Sequence, residues 1–552
     1  MNLSFKYQKY IFVFSLLLIN SSLCYCLSKF HNYWYLYLII LAPNSILTLS
    51  MILTIFVSGF FYLCKKEKEQ IINKNIAYLI PCYNESFEEL DETVNSFINQ
   101  NNIENNKKIL IVCCDGISTG KGNDRPTNQI LQEQIFKDYI NETIYYPNAY
   151  KTWVNEYNSV TLSYGIIKNL PFILIIKGIN IGKRDSVTLV RRNLYLYNNI
   201  NNFDLFNKPY NDLTDFNRKL YSIFANHNLD NFDAIIGTDG DTILHEDCSN
   251  HLINNLYNYK DDTLMGVAGF IKVSPYMNPF SLWTIYQLTS YTYGQLLVRL
   301  HQSRITRKVN CLPGCVQIFK VCKETCGYEV LNVFNNLPND NEVLYKHMRA
   351  HMGEDRMHIC TMMHMYPYVK TKQSIHAFAY TRVPNTWRVF LSQRRRWSLG
   401  ANSNKLILLT NKGIHLYEKL STLLSIIAWY FTLFYTFAFV HIIYVLINFN
   451  YNETTTLMYL TIISLGIIII VPKLYILTFP CWISMNKIEI TQLYIGCAIY
   501  NFINIPMTLI VHLYTLLNMD NLTWGKTREC IENGCDGIED DNNEFVDVVT
   551  PN

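Results

Sequence analysis

Charge is what this chain has least of: Asp, Glu, Lys and Arg make up 16% of its 552 residues, whereas hydrophobic residues reach 49%. So little charge implies that part of the chain sits in a solvent more apolar than water. The formal net charge is only +3. That gives no electrostatic footprint for nucleic acid or an acidic polymer, and no nucleic-acid partner is expected. Sixteen cysteines are present, but they lack the paired short-spaced knuckles of a zinc site. The spacings Cys311–Cys315 and Cys322–Cys326 suggest ligands only superficially. A disulfide framework is not expected either, because the cysteines of the middle third fall in a segment read below as cytoplasmic, where thiols stay reduced. There is no internal repeat.

What is present in quantity is apolar sequence of membrane-spanning length, about 20 residues. One run covers 10–27 and a second lies within 34–64, interrupted near its start by Pro43-Asn44. Lys6 and Lys9 ahead of the first run allow a signal peptide, but no convincing small-residue cleavage pattern follows, which favours an anchor. Lys65, Lys66 and Lys68 follow the second run and place the next segment, and with it the N-terminus, in the cytoplasm. From about 70 to 415 no run approaches spanning length. Short apolar strands at 76–80, 108–113, 172–176, 234–237 and 265–269 alternate with helix-like stretches, which predicts an α/β domain with a mostly parallel sheet and helices on both faces. Apolar runs return at 421–448, 457–485 and 491–517, before a short acidic tail. The expected division is an N-terminal membrane region at 1–64 with about two spans, a cytoplasmic domain at 65–415, a second membrane domain at 416–519 and a cytoplasmic tail at 520–552.

Polar clusters follow several predicted strands, where ligands of such sheets bind. The first strand leads into Pro81-Cys82-Tyr83-Asn84-Glu85-Ser86, a strand-to-helix turn able to seat a nucleotide base. The second ends in Cys114-Asp115-Gly116, which in isolation reads more readily as only a turn. The third leads to Gly182-Lys183-Arg184-Asp185-Ser186, whose two cations are expected to face a diphosphate. The fourth ends in Thr238-Asp239-Gly240-Asp241, two carboxylates of the kind that hold Mg2+ or Mn2+ together with a substrate's phosphates. An acidic loop capping the strand is the plain alternative. Gly353-Glu354-Asp355-Arg356 opens a helical pattern and offers a general base, although acidic residues also simply favour helix N-termini. Ser392-Gln393-Arg394-Arg395-Arg396-Trp397 precedes the second membrane block. Its arginines suit a cytoplasmic flank, but topology does not account for Gln393 or Trp397. A guanidinium grips a diphosphate, and an indole face stacks on a sugar ring.

From about residue 76 to 528 these segments, in this order, resemble the chitin synthases. Cys114-Asp115-Gly116 with the trailing Gly120-Lys121-Gly122-Asn123-Asp124-Arg125, Gly182-Lys183-Arg184-Asp185-Ser186 and Cys311-Leu312-Pro313-Gly314-Cys315 look like family signatures. Gln393-Arg394-Arg395-Arg396-Trp397 is similar to the family's most recognisable motif, and Trp524-Gly525-Lys526-Thr527-Arg528 to its late tryptophan-glycine motif, which closes over the donor site. Two departures stand out: Gly240 replaces the usual alanine between the aspartates, and Ser398-Leu399-Gly400 follows the tryptophan. The resemblance implies a GT-A-like glycosyltransferase domain and an inverting, processive transfer of N-acetylglucosamine from UDP-GlcNAc to the non-reducing end of a β-1,4-linked chain. It also implies translocation of that nascent chitin chain across the lipid bilayer, in the plasma membrane or a secretory vesicle membrane. Pro81, Tyr83, Glu85, Asp115, Lys183, Arg184 and Asp239 would bind the donor, and Asp241 with Asp239 a divalent cation. Asp355 would be the base, Gln393 and Arg396 would address the diphosphate, and Trp397 and Trp524 would serve the acceptor and donor ends of the site.

A hyaluronan or cellulose synthase-like enzyme would share the aspartates and the Gln-x-x-Arg-Trp pattern, and a non-catalytic polymer transporter is a remoter alternative. Whether the chain forms a homo-oligomer is open. Trp524 reaches a cytoplasmic donor only after an even number of crossings, so 457–517 is expected to hold three short spans, with a re-entrant segment as the alternative.

Overall fold

The computed structural model describes residues 4–29, 48–57, 72–120, 122–152, 156–200, 214–258, 261–274, 277–339, 341–411, 413–447, 456–481 and 483–522. Its centre is a ten-stranded sheet formed by β1 (Ile76–Cys82), β2 (Lys108–Cys114), β3 (Ile140–Lys151), β4 (Tyr157–Ile167), β5 (Leu170–Lys177), β6 (Ala234–Gly237), β7 (Thr242–Leu244), β8 (Leu264–Val273), β9 (Gln317–Lys320) and β10 (Lys370–Thr381). The spatial order is β3-β4-β5-β2-β1-β6-β9-β8-β10-β7. The four strands β5, β2, β1 and β6 run parallel, as do β8 and β10. The remaining pairs are antiparallel, so the sheet is mixed and not mostly parallel as the strand spacing suggested. The hairpin β3–β4 and the short β9 account for much of the difference.

The central strands form because both of their faces are buried. Ala77, Leu79, Ile109, Ile111 and Cys113 enter one apolar cluster with the helix Lys183–Asn198. The alternate residues Ile76, Tyr78, Ile80, Leu110, Val112 and Cys114 enter another with the helices Phe87–Ile98 and Cys248–Tyr257. A period of two between two apolar layers is what reads as an unbroken hydrophobic run. Each fully buried Leu, Ile or Val contributes on the order of 1.5–3 kcal/mol, which fixes the sheet firmly and leaves its polar strand ends as the variable edge. Ser86 closes β1 and opens the helix Phe87–Ile98 through a capping box with Glu89.

Among the described residues, Phe5–Lys29 is the one helix long and apolar enough to cross a membrane on its own. Two further helix pairs reach that length only when taken across a bend: Leu416–Tyr430 with Thr432–His441, at 72°, and Lys487–Tyr500 with Phe502–Leu517, at 70°. Of the second N-terminal run, the structure describes the short helix Thr48–Val57. The lysines at 65, 66 and 68 and the Trp524 motif lie outside the described residues. Over 457–517, where three short spans or a re-entrant segment are expected, the described residues form the helices Thr456–Leu477 and Lys487–Leu517, the latter bent by 70° between Tyr500 and Phe502. The second returns to the sheet domain at both ends. Glu489 in its first turn pairs with Lys272 of β8 at 3.0 Å, and Leu516 and Met519 pack with Leu344, Met348 and Leu399. Just beyond, Asp520 pairs with Lys9 at 2.7 Å.

Candidate active site

Because β5, β2, β1 and β6 are parallel, their C-terminal ends open on one edge of the sheet, and the polar segments that follow them meet there. Asp239 follows β6, Lys183 opens the helix after β5, and Glu354 and Asp355 open the helix Glu354–Met365. Lys183 Nζ forms a close ion pair with Asp239 and lies 2.9 Å from Glu354 Oε1. Burial works against the Lys183 charge, but Asp239, Glu354 and Asp355 outweigh it and hold the ammonium well above the usual lysine range. Burial likewise opposes the Asp239 carboxylate. Lys183, the Cys315 thiol (Sγ to Oδ2, 3.1 Å) and Arg396 prevail, so its pKa falls.

Asp355 behaves in the opposite way. Burial pushes its carboxyl up to about 6, Lys183 pulls it back, and the charges of Glu354 and Asp239 add to the rise. Its Oδ2 accepts the Gly314 N–H at 2.8 Å. Gly314 stands where the three groups converge: a Cβ there would lie 2.6 Å from Lys183 Nζ and 3.1 Å from both Asp239 Oδ1 and Asp355 Oδ1. Cys311-Leu312-Pro313-Gly314-Cys315, recognised in the sequence as a signature without a role, is thus the loop that lies between the Asp355 and Asp239 carboxylates. Glu354, the other half of the acidic pair, is the residue that answers Lys183.

Pro81 is buried at the end of β1, and Tyr83 is half-buried beyond it. Glu85 turns back so that its Oε2 accepts the Tyr83 N–H at 2.6 Å. Its carboxyl lies against Gly240, where an added Cβ would meet Glu85 Cδ at 2.9 Å. The departure from alanine at 240 therefore has a local cause. Asp241 is half-buried, two residues past Asp239. Among the described residues no group of three or more His, Cys, Asp or Glu side chains is arranged to hold a metal. Two carboxylates are nevertheless the protein share usual for Mg2+ or Mn2+ bound largely by phosphates.

The helix Trp387–Thr410 carries the arginine-rich motif and packs against the apolar helices Leu416–Tyr430 and Lys487–Leu517. Arg396 is buried, and burial lowers its pKa to about 10 against the opposing pull of Glu354, Asp239 and Asp355. Gln393 Oε1 is buried and has no hydrogen-bond partner among the described residues, as expected of an atom that awaits a ligand. Trp397 is 45% exposed, with its ring 5.8 Å from that of Tyr291 and the Arg394 guanidinium 4.5 Å above it. Tyr291 comes from the helix Leu282–Tyr293, which no motif pointed to.

Two expected donor ligands face elsewhere. Arg184 is buried and donates to the carbonyl oxygens of Phe334, at 3.1 Å, and Ala350, while stacking on the Phe334 ring. Adjacent helical residues point about 100° apart, so Lys183 and Arg184 do not both address one cleft. Asp115 is buried beneath the edge, 2.5 Å from Lys177 Nζ. Burial pushes its carboxyl up, and Lys177 offsets this only in part. Trp524 lies outside the described residues.

The sequence model of the chitin synthase family matches residues 51–160 and 175–550. The protein named Chitin synthase 8 of Gibberella zeae is 32% identical over 95% of this chain and 78% of its own length. Another Chitin synthase 8, from Verticillium dahliae, is 31% identical over 77% of this chain and 73% of its own. Among solved structures, a mannosyltransferase from Pyrobaculum calidifontis in complex with GDP-Man and Mn2+ aligns over 83% of this chain and 99% of that one, with a TM-score of 0.39 and 11% identity. The chain belongs to the chitin synthase family, and it is a hexosyltransferase that makes chitin.

Proposed function

We propose that this cleft, in a GT-A-like domain, performs an inverting and processive transfer of N-acetylglucosamine from UDP-GlcNAc to the non-reducing end of a growing β-1,4-linked chain. The observation that carries this reading is the convergence of Asp355, Asp239 and Lys183 around Gly314. The acceptor C4 hydroxyl attacks the anomeric carbon, its proton passes to a carboxylate oxygen of Asp355, and the bond from the anomeric carbon to the diphosphate oxygen breaks with departure of UDP. A base with a pKa near 6 is ionised at neutral pH and still accepts a proton. Lys183 and Arg396 offset the negative charge gathering on UDP, and Gln393, one helical turn before Arg396, donates its amide N–H to the diphosphate.

Asp239 and Asp241 fit a divalent cation, Mg2+ or Mn2+, because Asp239 is held ionised and both follow a buried parallel strand. Such an ion, when bound, neutralises charge on the departing diphosphate. Trp397, exposed and with Tyr291 and Arg394 around it, stacks on the acceptor sugar before the chain passes into the bilayer. The reading also places the enzyme as a multi-pass protein of the plasma membrane or a secretory vesicle. The test is incorporation of label from UDP-GlcNAc by the purified full chain with Mg2+ or Mn2+, followed by digestion with a specific chitinase. A chitinase-labile polymer is expected. A chitinase-resistant product, or no product, would refute the reading.

A further inference from the structure

Under the donor edge lies a buried ionic cluster whose centre, Lys177, belongs to no sequence motif. Lys177, the last residue of β5, is fully buried, with its Nζ 2.5 Å from Asp115 Oδ1 and 2.9 Å from Asp185 Oδ2. The Tyr150 hydroxyl, from β3, donates to the same Asp185 oxygen at 2.5 Å. Asn158, on β4, donates to Tyr150 Oη at 3.4 Å and to the Ile179 carbonyl at 3.0 Å, and its Oδ1 accepts the Ile179 N–H at 3.1 Å. Asp115 Oδ1 accepts the Ile181 N–H at 3.1 Å as well. The five-residue turn 178–182 is therefore held on both sides before the chain reaches Lys183.

The Asp-Gly turn after β2 locks into the same assembly. Gly116 has φ +81°, and a Cβ there would lie 2.8 Å from the Asn180 backbone nitrogen, so the two loops touch and cannot move independently. Stability alone does not explain this cluster. A buried ion pair costs several kcal/mol per ion to desolvate and is often no better than packed apolar side chains. Its position, at the ends of two parallel strands and the start of the helix that presents Lys183, accounts for it as a device of geometry.

We propose that Lys177 and Tyr150 are positioning residues for the nucleotide donor, setting the turn 178–182 and the Asp115-Gly116 turn as one unit so that Lys183 meets Asp239 and the diphosphate in register. The proposal rests on the cleft being the UDP-GlcNAc site. It is tested on the full chain in detergent by calorimetric titration with UDP and by initial rates over a range of UDP-GlcNAc concentrations. Tyr150→Phe removes one hydroxyl without a change of shape, and Lys177→Met removes the charge.

Each is expected to weaken UDP binding and raise the donor KM about three- to tenfold, with kcat within about twofold, as loss of hydrogen bonds to a charged group would do through geometry. The thermal midpoint of Tyr150→Phe should stay close to wild type, and that variant decides the matter if Lys177→Met does not fold. Unchanged donor affinity and KM in Tyr150→Phe, or a loss of activity explained wholly by a smaller folded fraction, would overturn the proposal. Failure of the wild-type chain to bind UDP at all would overturn the site reading itself, and the proposal with it.

Discussion

The two sides of the cleft are built differently. On the sheet side, groups are fixed by strand ends and short ionic contacts, such as Lys183 to Asp239 and Glu354, Asp355 to Gly314, and Lys177 to Asp115 and Asp185. On the other side, where the arginine-rich helix packs against the apolar helices that are candidate membrane spans, the notable contacts are aromatic and cation–π, among Trp397, Tyr291 and Arg394, and those apolar helices bend by about 70°. The contrast fits two tasks. A donor that must react in one geometry needs preorganised charge, whereas a polymer that must slide needs faces that hold a ring without gripping it. Variants on the sheet side should therefore alter chemistry and donor affinity, and variants on the membrane side elongation.

The largest effect is expected from Asp355→Asn. The amide keeps the shape but accepts no proton, so polymer synthesis should fall by at least about a thousandfold while UDP binds within about twofold of wild type. Synthesis near the wild-type rate would remove Asp355 from the role of base. In the wild-type enzyme the carboxyl is protonated, and so inactive as a base, below its pKa of about 6. kcat/KM should accordingly rise as pH increases through that value. A flat profile between pH 5 and 7 would contradict the assignment.

Next is Asp241→Asn, which should cost about ten- to a hundredfold in kcat/KM and raise the Mg2+ or Mn2+ concentration needed for half-maximal rate. Unchanged metal dependence in a titration would show that Asp241 is not a ligand. On the membrane side, Trp397→Ala should lower elongation about tenfold and shorten the product while donor hydrolysis persists, and Trp397→Phe should do less. Product length on a sizing column reads this directly. Normal length would erase the distinction between the two sides.

The smallest effect is expected from Gly240→Ala, which restores the family's usual residue. Its Cβ would press on Glu85 Cδ at 2.9 Å and Cys82 Cβ at 3.2 Å. The carboxyl end of Glu85 must give way, raising the donor KM about threefold with kcat nearly unchanged. No change in KM would mean that Glu85 shifts freely and the donor edge is softer than its contacts suggest.

Much of the donor edge was legible in the sequence because strands buried on both faces leave unbroken apolar runs that point to their own ends. β1, β2, β5, β6 and β8 announced themselves in that way. The hairpin β3–β4 did not, since β3 is Tyr-, Asn- and Thr-containing with many exposed positions and shows no apolar alternation. Strand direction leaves no mark in composition, and hence the sheet was expected to be more parallel than it is. The motif Gly182-Lys183-Arg184-Asp185-Ser186 opens a helix at the cleft, where the rotation between helical neighbours turns Lys183 to Asp239 and Arg184 to the Ala350 carbonyl, a divergence that two adjacent cations in a sequence do not reveal. The number of C-terminal spans was illegible for another reason. Hydropathy records length, not bending: the helix Lys487–Leu517 turns by 70° between Tyr500 and Phe502, just ahead of Pro506, which has no N–H to offer the carbonyl of Phe502.

The pairing of Lys9 with Asp520 spans 511 positions of sequence. At a synthesis rate of about 5–20 residues per second, the first helix waits about 25–100 seconds in the membrane for its counterpart to be made. The sheet domain, clasped by both, thus acquires this contact only after residue 520 has been made, when Lys183, Asp239 and Asp355 are already in the chain.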